Sequence, residues 1–358
     1  MGDHMKVLAI NSSARIGGQS KTELMLNHLV EGMRDAGAAV EVINLHKKSI
    51  KNCIGCFTCW TKTPGKCIHK DDMSNEIYPK YLDADLLVLA TPLYHFTVNA
   101  EMKVFIERTL PDLQPFFELR NGVTRHPMRH ETPPVVALSV AGFPDESVFD
   151  LLSSYMNFIY HGRLLAEIFR PAAESMRPSD GGEKVADILD ATVQGGRELI
   201  KSMAISSETM TRIKYPFTDF ETMAPIVNIF WQTCIDEGVT PKEFESKEMV
   251  PRPDSIETFV ALMGLAFNKE KTGDVEAKIQ FLFSGEVEGN CYFSIKNGKF
   301  EADVGTADNP DLTIDTPFEV WMDITTKKSD RQQMFMEQKY KVSGDMSVLM
   351  RFGDFFGK

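Results

Sequence analysis

The chain has 358 residues, 43% of them apolar and 25% charged, which is more than one ordinary domain and excludes the disordered, collagenous and disulfide-scaffold classes. Thirty-nine Lys plus Arg against 51 Asp plus Glu leave a formal charge of −12. That is the wrong sign for neutralising a phosphate backbone, so no nucleic-acid partner is expected. Residues 1–204 hold 22 basic and 25 acidic side chains, whereas 205–358 hold 17 and 26, an asymmetry that suggests two modules. All eight His lie at or before His161, so chemistry that needs an imidazole belongs to the N-terminal half. No stretch approaches the roughly 18 uninterrupted apolar residues of a membrane span, and no basic and then apolar leader opens the chain. A cytoplasmic protein is expected, with Met1 to His4 read as cloning residues ahead of a start at Met5.

In chain order, Lys6 to Asn11 is an apolar run that ends in a polar loop, and Lys21 to Arg34 carries Leu24, Leu26, Leu29, Val30 and Met33 near helical spacing. Further β-prone runs fall at Ala39–Asn44, Asp85–Ala90, Val135–Val140 and Leu164–Phe169, and helical patterns at Ser147–Tyr160 and Glu183–Ala204. Strands alternating with helices predict an α/β fold with a doubly wound, parallel five-stranded sheet, simplest in the order 2-1-3-4-5. Residues 109–133, rich in Pro, Arg and His, form a long insertion of the kind that makes lids or subunit contacts.

After Ser206 the pattern changes. Phe220–Asp236 and Ser255–Phe267 read as apolar helices, and the period then shifts to two at Ile279, Phe281 and Phe283 and at Cys291, Phe293 and Ile295. Asn297-Gly298 is a type I′ hairpin signal leading into Phe300, Ala302 and Val304. Leu312 and Ile314 supply another strand, and Phe318–Ile324 and Gln332–Gln338 supply helix. The expectation is an α/β domain over 5–204, a helical linker over 205–253 and a smaller α+β domain with an antiparallel sheet over 254–358.

The loop Asn11-Ser-Ser-Ala-Arg-Ile-Gly-Gly-Gln-Ser-Lys-Thr22 lies between the first strand and the first helix, where orphan backbone N–H groups and the helix dipole attract an anion. It lacks both the dinucleotide glycine spacing and the glycine that precedes the P-loop lysine. An ordinary turn with Ser and Thr capping a helix is the competing reading. Together with Thr91-Pro-Leu-Tyr-His-Phe-Thr-Val-Asn-Ala-Glu-Met-Lys-Val-Phe-Ile-Glu-Arg108, it resembles the NADPH-dependent FMN reductase family of flavodoxin-like proteins, over about residues 5–204. The resemblance implies that Ser13, Arg15, Ser20, Lys21 and Thr22 hold the phosphate of FMN. It also implies that Pro92, Leu93, Tyr94, His95 and Phe96 line the isoalloxazine, and that Ser139, Ala141, Gly142 and Phe143 close over its other side. Tyr94 and His95 would orient the acceptor as the residues nearest the chemistry. A nicotinamide cofactor, NADH or NADPH, would be the electron donor. FMN is expected rather than FAD, because no adenosine-binding fingerprint follows the loop.

Four of the six cysteines form Cys53-x2-Cys56-x2-Cys59-x7-Cys67, crowding that reads as metal or redox chemistry rather than disulfides. Short spacers let successive thiolates point inward around one cubane, and the longer last spacer lets the chain return. The motif looks like that of archaeal and bacterial iron–sulfur flavoproteins, which share the flavodoxin-like fold. A [4Fe–4S] cluster, a Zn²⁺ ion and redox-active free thiols all remain open for these four residues. Cys234 and Cys291 read as core residues.

Phe283-Ser-Gly-Glu-Val-Glu-Gly-Asn-Cys-Tyr-Phe-Ser-Ile-Lys-Asn-Gly-Lys-Phe300, Asn309-Pro-Asp-Leu-Thr-Ile-Asp315 and Lys341-Val-Ser-Gly-Asp-Met346 are similar to sterol carrier protein-2 domains, over about residues 254–358. The likeness implies an apolar tunnel for a lipid or other hydrophobic molecule. The plainer alternative is that Phe281, Phe283, Phe293, Phe300, Met334 and Met336 fill a solid core. The leading expectation for the whole chain is an FMN-dependent oxidoreductase passing electrons from a nicotinamide cofactor to a second acceptor. The alternative is an electron-transfer iron–sulfur flavoprotein with a ferredoxin-like partner. A homo-oligomer is expected, because Leu113, Phe116 and Phe117 of the insertion offer apolar cover for an exposed flavin.

Overall fold

The computed structural model describes residues 4–15, 18–120, 122–176 and 178–356, with the backbone alone given for 178–181. The chain divides into two units, one ending at Phe220 and one beginning at Glu221. The first unit contains β1 (Lys6–Asn11), α1 (Lys21–Asp35), β2 (Ala39–Asn44), α2 (Tyr78–Asp83), β3 (Leu86–Pro92), α3 (Ala100–Glu107) and a small hairpin of β4 (Glu118–Arg120) and β5 (Val123–Arg125). It continues with β6 (Val135–Val140), α4 (Asp150–Ile159), β7 (Leu164–Arg170), α5 (Pro178–Ser202) and α6 (Ser207–Ile213).

β3 and β6 are buried at every position, as strands covered on both faces must be. All pairs of the sheet are parallel and its order is β2-β1-β3-β6-β7, the expected 2-1-3-4-5. Core residues of α1 and α5 cover one face, and those of α2, α3 and α4 the other. α1 and α5 touch backbone to backbone: a Cβ on Gly32 would lie 1.8 Å from the Val193 carbonyl oxygen, and one on Gly196 2.1 Å from that of Leu29. Only glycine permits that approach. The strand order reverses between β1 and β3, and in open α/β sheets the crevice outside the carboxyl ends at such a point is where ligands bind.

The second unit contains α7 (Phe220–Asp236), α8 (Pro241–Ser246), α9 (Ile256–Ala266), α10 (Lys269–Thr272), β8 (Ala277–Ser284), β9 (Gly289–Lys296) and β10 (Lys299–Val304). β11 (Leu312–Pro317), α11 (Phe318–Thr325), α12 (Arg331–Met336), β12 (Lys341–Gly344) and α13 (Met346–Phe355) complete it. Asn297 and Gly298 have φ of 52° and 66°, as the type I′ turn between β9 and β10 requires.

The antiparallel expectation for this sheet needs correction. Its order is β10-β9-β8-β11-β12, and β11 pairs with β8 in parallel, Leu312 opposite Ile279. The sheet is mixed because the chain after β10 does not turn back at the edge but crosses to the far side of β8. Buried Gln280 holds that crossing: its amide oxygen accepts from Ala307 N at 2.7 Å, and its amide nitrogen donates to the Gly305 and Cys291 carbonyls at 3.1 and 2.9 Å. The stretch 205–253, read as a helical linker, divides between the units, α6 lying in the first and most of α7 with all of α8 in the second.

Candidate functional site

Three loops meet at the carboxyl edge of the first sheet, and one asparagine ties two of them together. Asn99 caps α3 by accepting from Met102 N at 3.1 Å, and its amide nitrogen donates to the Ser12 carbonyl at 2.6 Å. Its own N–H donates to Thr91 Oγ1 at 3.2 Å, so the loop after β1 and the loop after β3 share one anchor. Sequence reasoning did not single out Asn99. Its cap position before Ala100 is legible, but its reach back to Ser12 is not.

In the first loop Ser13, Ser20 and Thr22 are buried. Ser20 Oγ donates to Ser13 Oγ at 2.8 Å and accepts from Glu23 N at 3.0 Å, so Ser20 does cap α1. Residues 16 and 17 lie outside the described residues. Arg15 pairs with Glu174 at 2.7 Å, with the two side chains 53% and 47% exposed, an arrangement weak enough to yield to an incoming anion. Lys21 Nζ donates to the Met176 carbonyl at 2.8 Å. Because Ser20 has both roles, Ser20→Ala is expected to cost about 1 kcal/mol of stability whatever binds there. Ser13→Ala with Thr22→Ala should instead lower flavin occupancy while the melting temperature of the flavin-free protein stays near wild type. Unchanged occupancy in that pair would reduce the loop to a helix cap.

In the second loop Pro92 belongs to β3, opposite Val140, and Leu93 N donates to the Val140 carbonyl at 3.0 Å. Tyr94 and Thr97 exchange both backbone hydrogen bonds at 3.1 Å, closing a two-residue turn whose His95 and Phe96 have φ of 46° and 63°. Two successive non-glycine residues in the left-handed region are strained by about 1 kcal/mol or more each. The result is that Tyr94 and Phe96 stand half exposed at the rim. In the third loop Ala141 is buried, Gly142 is open and Phe143 is exposed. The Phe143 and Phe96 rings lie 10° from parallel with centroids 6.2 Å apart. Ser139 is fully buried, and its hydroxyl has no partner among the described residues.

An orphaned hydroxyl, a buried hydroxyl pair at a helix N-terminus and two facing exposed rings along one strand edge fit an aromatic ligand that carries a phosphate.

The cysteine loop leaves the same edge after β2. Asp71 and Arg108 pin its two ends: Arg108 Nη1 and Nη2 donate to the Asp71 carboxylate at 2.7 and 3.0 Å, Nη1 also donates to the Lys51 carbonyl, and Nη2 to Ser74 Oγ at 3.0 Å. The side chains are 1% and 3% exposed. Burial by itself would raise the Asp71 pKa. The Arg108 guanidinium and the Lys51 and Ser74 N–H groups outweigh it and hold the carboxyl well below the usual range. Sequence reasoning missed this pair, since nothing local couples residues 71 and 108.

Cys53, Cys56, Cys59 and Cys67 line one concavity with Arg108, Leu110 and Pro111. Positive φ at Gly55 (62°) and Phe57 (53°) turns the short spacers, and Trp60 Nε1 donates to the Leu110 carbonyl at 3.1 Å. Burial, followed by the charges of Cys67, Cys53 and Cys56, raises the Cys59 pKa, whereas a hydrogen bond from the Thr58 side chain lowers that of exposed Cys56. Among the described residues no group of three or more His, Cys, Asp or Glu side chains closes on one ion position. A tetrahedral Zn²⁺ needs sulfurs about 3.8 Å apart at a Zn–S distance of about 2.3 Å. A cubane would give each of four thiolates its own iron corner. Cys234 and Cys291 are buried.

The insertion folds into the β4–β5 hairpin. Leu113 bridges to Met128 and is half-buried, while Phe116 and Phe117 are 65% and 80% exposed. In the second unit Phe259, Phe281 and Phe293 are fully buried with centroids 5.2 to 5.6 Å apart, and Trp321 lies 5.2 Å from Phe281. Met336 is 76% exposed and takes no part in that core. No described helix is long and apolar enough to cross a membrane.

Comparison with known proteins agrees with this division. Residues 5–153 match the NADPH-dependent FMN reductase model, and residues 266–357 match the SCP-2 sterol transfer family. An iron-sulfur flavoprotein of Archaeoglobus fulgidus is 36% identical over 107 residues, 30% of this chain and 46% of the relative. One of Methanocaldococcus jannaschii is 37% identical over 119 residues, 33% of this chain and 58% of the relative. The chain thus spans about half the length of these curated relatives. The NAD(P)H:quinone oxidoreductase of Methanothermobacter marburgensis superposes with a TM-score of 0.41 at 18% identity, covering 55% of this chain and 98% of that one. Residues 5–153 of the chain are therefore similar to the NADPH-dependent FMN reductase family and residues 266–357 to the SCP-2 sterol transfer family.

Proposed function

We propose that the first unit binds FMN at the three-loop edge and works as an NAD(P)H-dependent oxidoreductase, taking electrons from a nicotinamide cofactor and passing them to a second acceptor. The observation that carries this is the meeting of the buried Ser13–Ser20 pair, the strained Tyr94–Phe96 turn and the orphaned Ser139 hydroxyl at one carboxyl edge. Ser13, Ser20, Thr22 and the α1 N-terminus would hold the phosphate, with Arg15 released from Glu174 to join them. Pro92 to Phe96 on one side and Ala141 to Phe143 on the other would confine the ring and exclude water. Tyr94 and His95, at the open rim, would orient the incoming molecule. When bound, FMN supplies the hydride and one-electron chemistry.

A second reading draws on the four-thiol concavity and on the relatives named iron-sulfur flavoproteins. Cys53, Cys56, Cys59 and Cys67 would hold a [4Fe–4S] cluster, which would add one-electron exchange with a ferredoxin-like partner. The free thiols suit a reducing, cytoplasmic setting. Exposed Phe116, Phe117 and Leu119 suit a homo-oligomer. In the second unit the closely packed rings favour a solid core, and a hydrophobic ligand there would have to displace them.

The visible spectrum of anaerobically purified protein tests both readings, together with mass spectrometry of the heat-released flavin. FMN that bleaches on addition of NAD(P)H is expected, over a broad shoulder near about 400 nm from thiolate-to-iron charge transfer. FAD as the main flavin, or no flavin at all, would overturn the loop assignment.

A further inference from the structure

Residues 172–176, which follow β7, touch both ends of the three-loop site. Towards the ring end, Ala173 N donates to the Ala141 carbonyl at 2.8 Å and Ala172 N to that of Phe143 at 2.6 Å. Glu174 crosses over the same loop, since a Cβ on Gly142 would lie 3.9 Å from Glu174 Cγ. Towards the phosphate end, the Glu174 carboxylate holds Arg15 at 2.7 Å, and the Met176 carbonyl accepts from Lys21 Nζ at 2.8 Å. One short segment therefore grips the first loop by charge and the third by backbone hydrogen bonds.

The ring end is narrow in this arrangement. The Phe96 and Phe143 centroids are 6.2 Å apart and their rings 10° from parallel, whereas a flat ring seated between two others needs about 7 Å, twice the carbon contact distance of roughly 3.5 Å. The third loop must therefore part from Phe96 before a flat ligand enters. Backbone strain flanks the slot on both sides: Ala172 has φ of 48°, and His95 and Phe96 have φ of 46° and 63°. Non-glycine residues keep such values only where their neighbours impose them, and ligand clamps are a common place for them. Taken alone, the half-exposed Arg15–Glu174 pair is an ordinary surface bridge of small worth. Its position gives it a second use, because Arg15 is also a cation that a phosphate at the α1 N-terminus would recruit.

We propose that residues 172–176 are a latch coupling the two halves of the site: Glu174 on Arg15 keeps the third loop against Phe96, and a phosphate that takes Arg15 lets that loop part to admit a flat ring. This rests on the reading in which the three-loop edge binds FMN. Opening the latch costs the same pair whichever half of the ligand arrives first, and the cost is met once for both. Phosphate and ring therefore bind better together than apart, and each strengthens the other by the same factor.

The test separates the halves. Riboflavin, which has the ring and no phosphate, is titrated by fluorescence into the flavin-stripped full chain, with inorganic phosphate supplied as the other half and chloride keeping the ionic strength constant. Millimolar phosphate should tighten riboflavin binding about two- to fivefold, which is what releasing one half-exposed ion pair allows. Glu174→Gln should tighten it by the same factor without phosphate, and phosphate should then add nothing. Amide hydrogen exchange in a peptide containing Ala172 and Ala173, whose N–H groups tie the third loop, should be faster in Glu174→Gln than in wild type, and faster in wild type with phosphate than without. Phosphate that leaves riboflavin binding unchanged, or weakens it, would overturn the latch. So would a Glu174→Gln chain that gains affinity for FMN but not for riboflavin, because Glu174 would then only compete for Arg15 and leave the slot alone. If wild type binds neither riboflavin nor FMN, the flavin reading fails by itself. The latch is then judged by hydrogen exchange, and unchanged exchange at Ala172 and Ala173 in Glu174→Gln rules it out.

Discussion

Anaerobically reconstituted protein is expected to contain about four iron atoms per chain, the content of a thiolate-held cubane, and Cys59→Ser should lose most of that iron together with the absorbance near 400 nm. Cys59 is the one buried thiol of the four, 7% exposed, so its replacement cannot be compensated by a water molecule as easily as that of exposed Cys56. Its pKa is raised by burial and then by the other three cysteines. Iron must therefore displace a firmly held proton, and iron retention should weaken as the pH falls, because metal and proton compete for the same sulfur. Iron determination and the visible spectrum, taken on the same sample at several pH values, check both statements. Iron near zero in reconstituted wild type, with FMN reduction by NAD(P)H intact, would leave the four cysteines as structural or thiol-redox groups.

The second large effect is expected at the buried pair beneath that loop. Arg108→Ala leaves the Asp71 carboxylate buried with only the Lys51 and Ser74 backbone donors, and breaking a buried pair from one side costs about 3–5 kcal/mol. Lys51 and Ser74 lose a partner in the same step, so the ends of the cysteine loop come free, and iron uptake should fall with stability. Urea denaturation of the first unit reads the energy. Asp71 also gives that stability a pH dependence of known sign. Its folded pKa is depressed, so its contribution is present in full above the ordinary unfolded value of about 4 and is lost as the pH falls below it. Asp71→Asn should remove that acid-side slope. A variant at either position that unfolds at the wild-type urea midpoint would mean that the pair is solvated and weak in solution.

Much of the first unit is legible along the chain because its determinants are local. The runs at Leu86 and Val135 are apolar at nearly every position, which is what a strand buried on both faces needs. Asn297-Gly298 encodes its turn in two residues, and the serine before Lys21 encodes a helix start. The loops that follow β1, β3 and β6 were legible for the same reason, because once the strands alternate with helices their carboxyl ends must share one edge.

What the tertiary structure alone decided depends on contacts between residues far apart in the chain, which leave no periodic or compositional trace. Arg108 reaches Asp71 across 37 residues and Asn99 reaches Ser12 across 87, yet each is an ordinary helix-end residue in sequence. Gln280 looks like one polar position in an alternating strand, and only the fold reveals that its amide holds the 305–307 turn from which the chain crosses to make the second sheet mixed. The phenylalanines of β8 and β9 read equally well as tunnel lining or as core. Which they are is set by whether the facing side chains of α9, α11 and α13 meet them, and Phe259, Trp321 and Phe352 do. Hydrophobic periodicity says which face of an element is buried. It carries no information about how completely the opposite face fills the space, because packing is a property of volumes brought together from the whole chain.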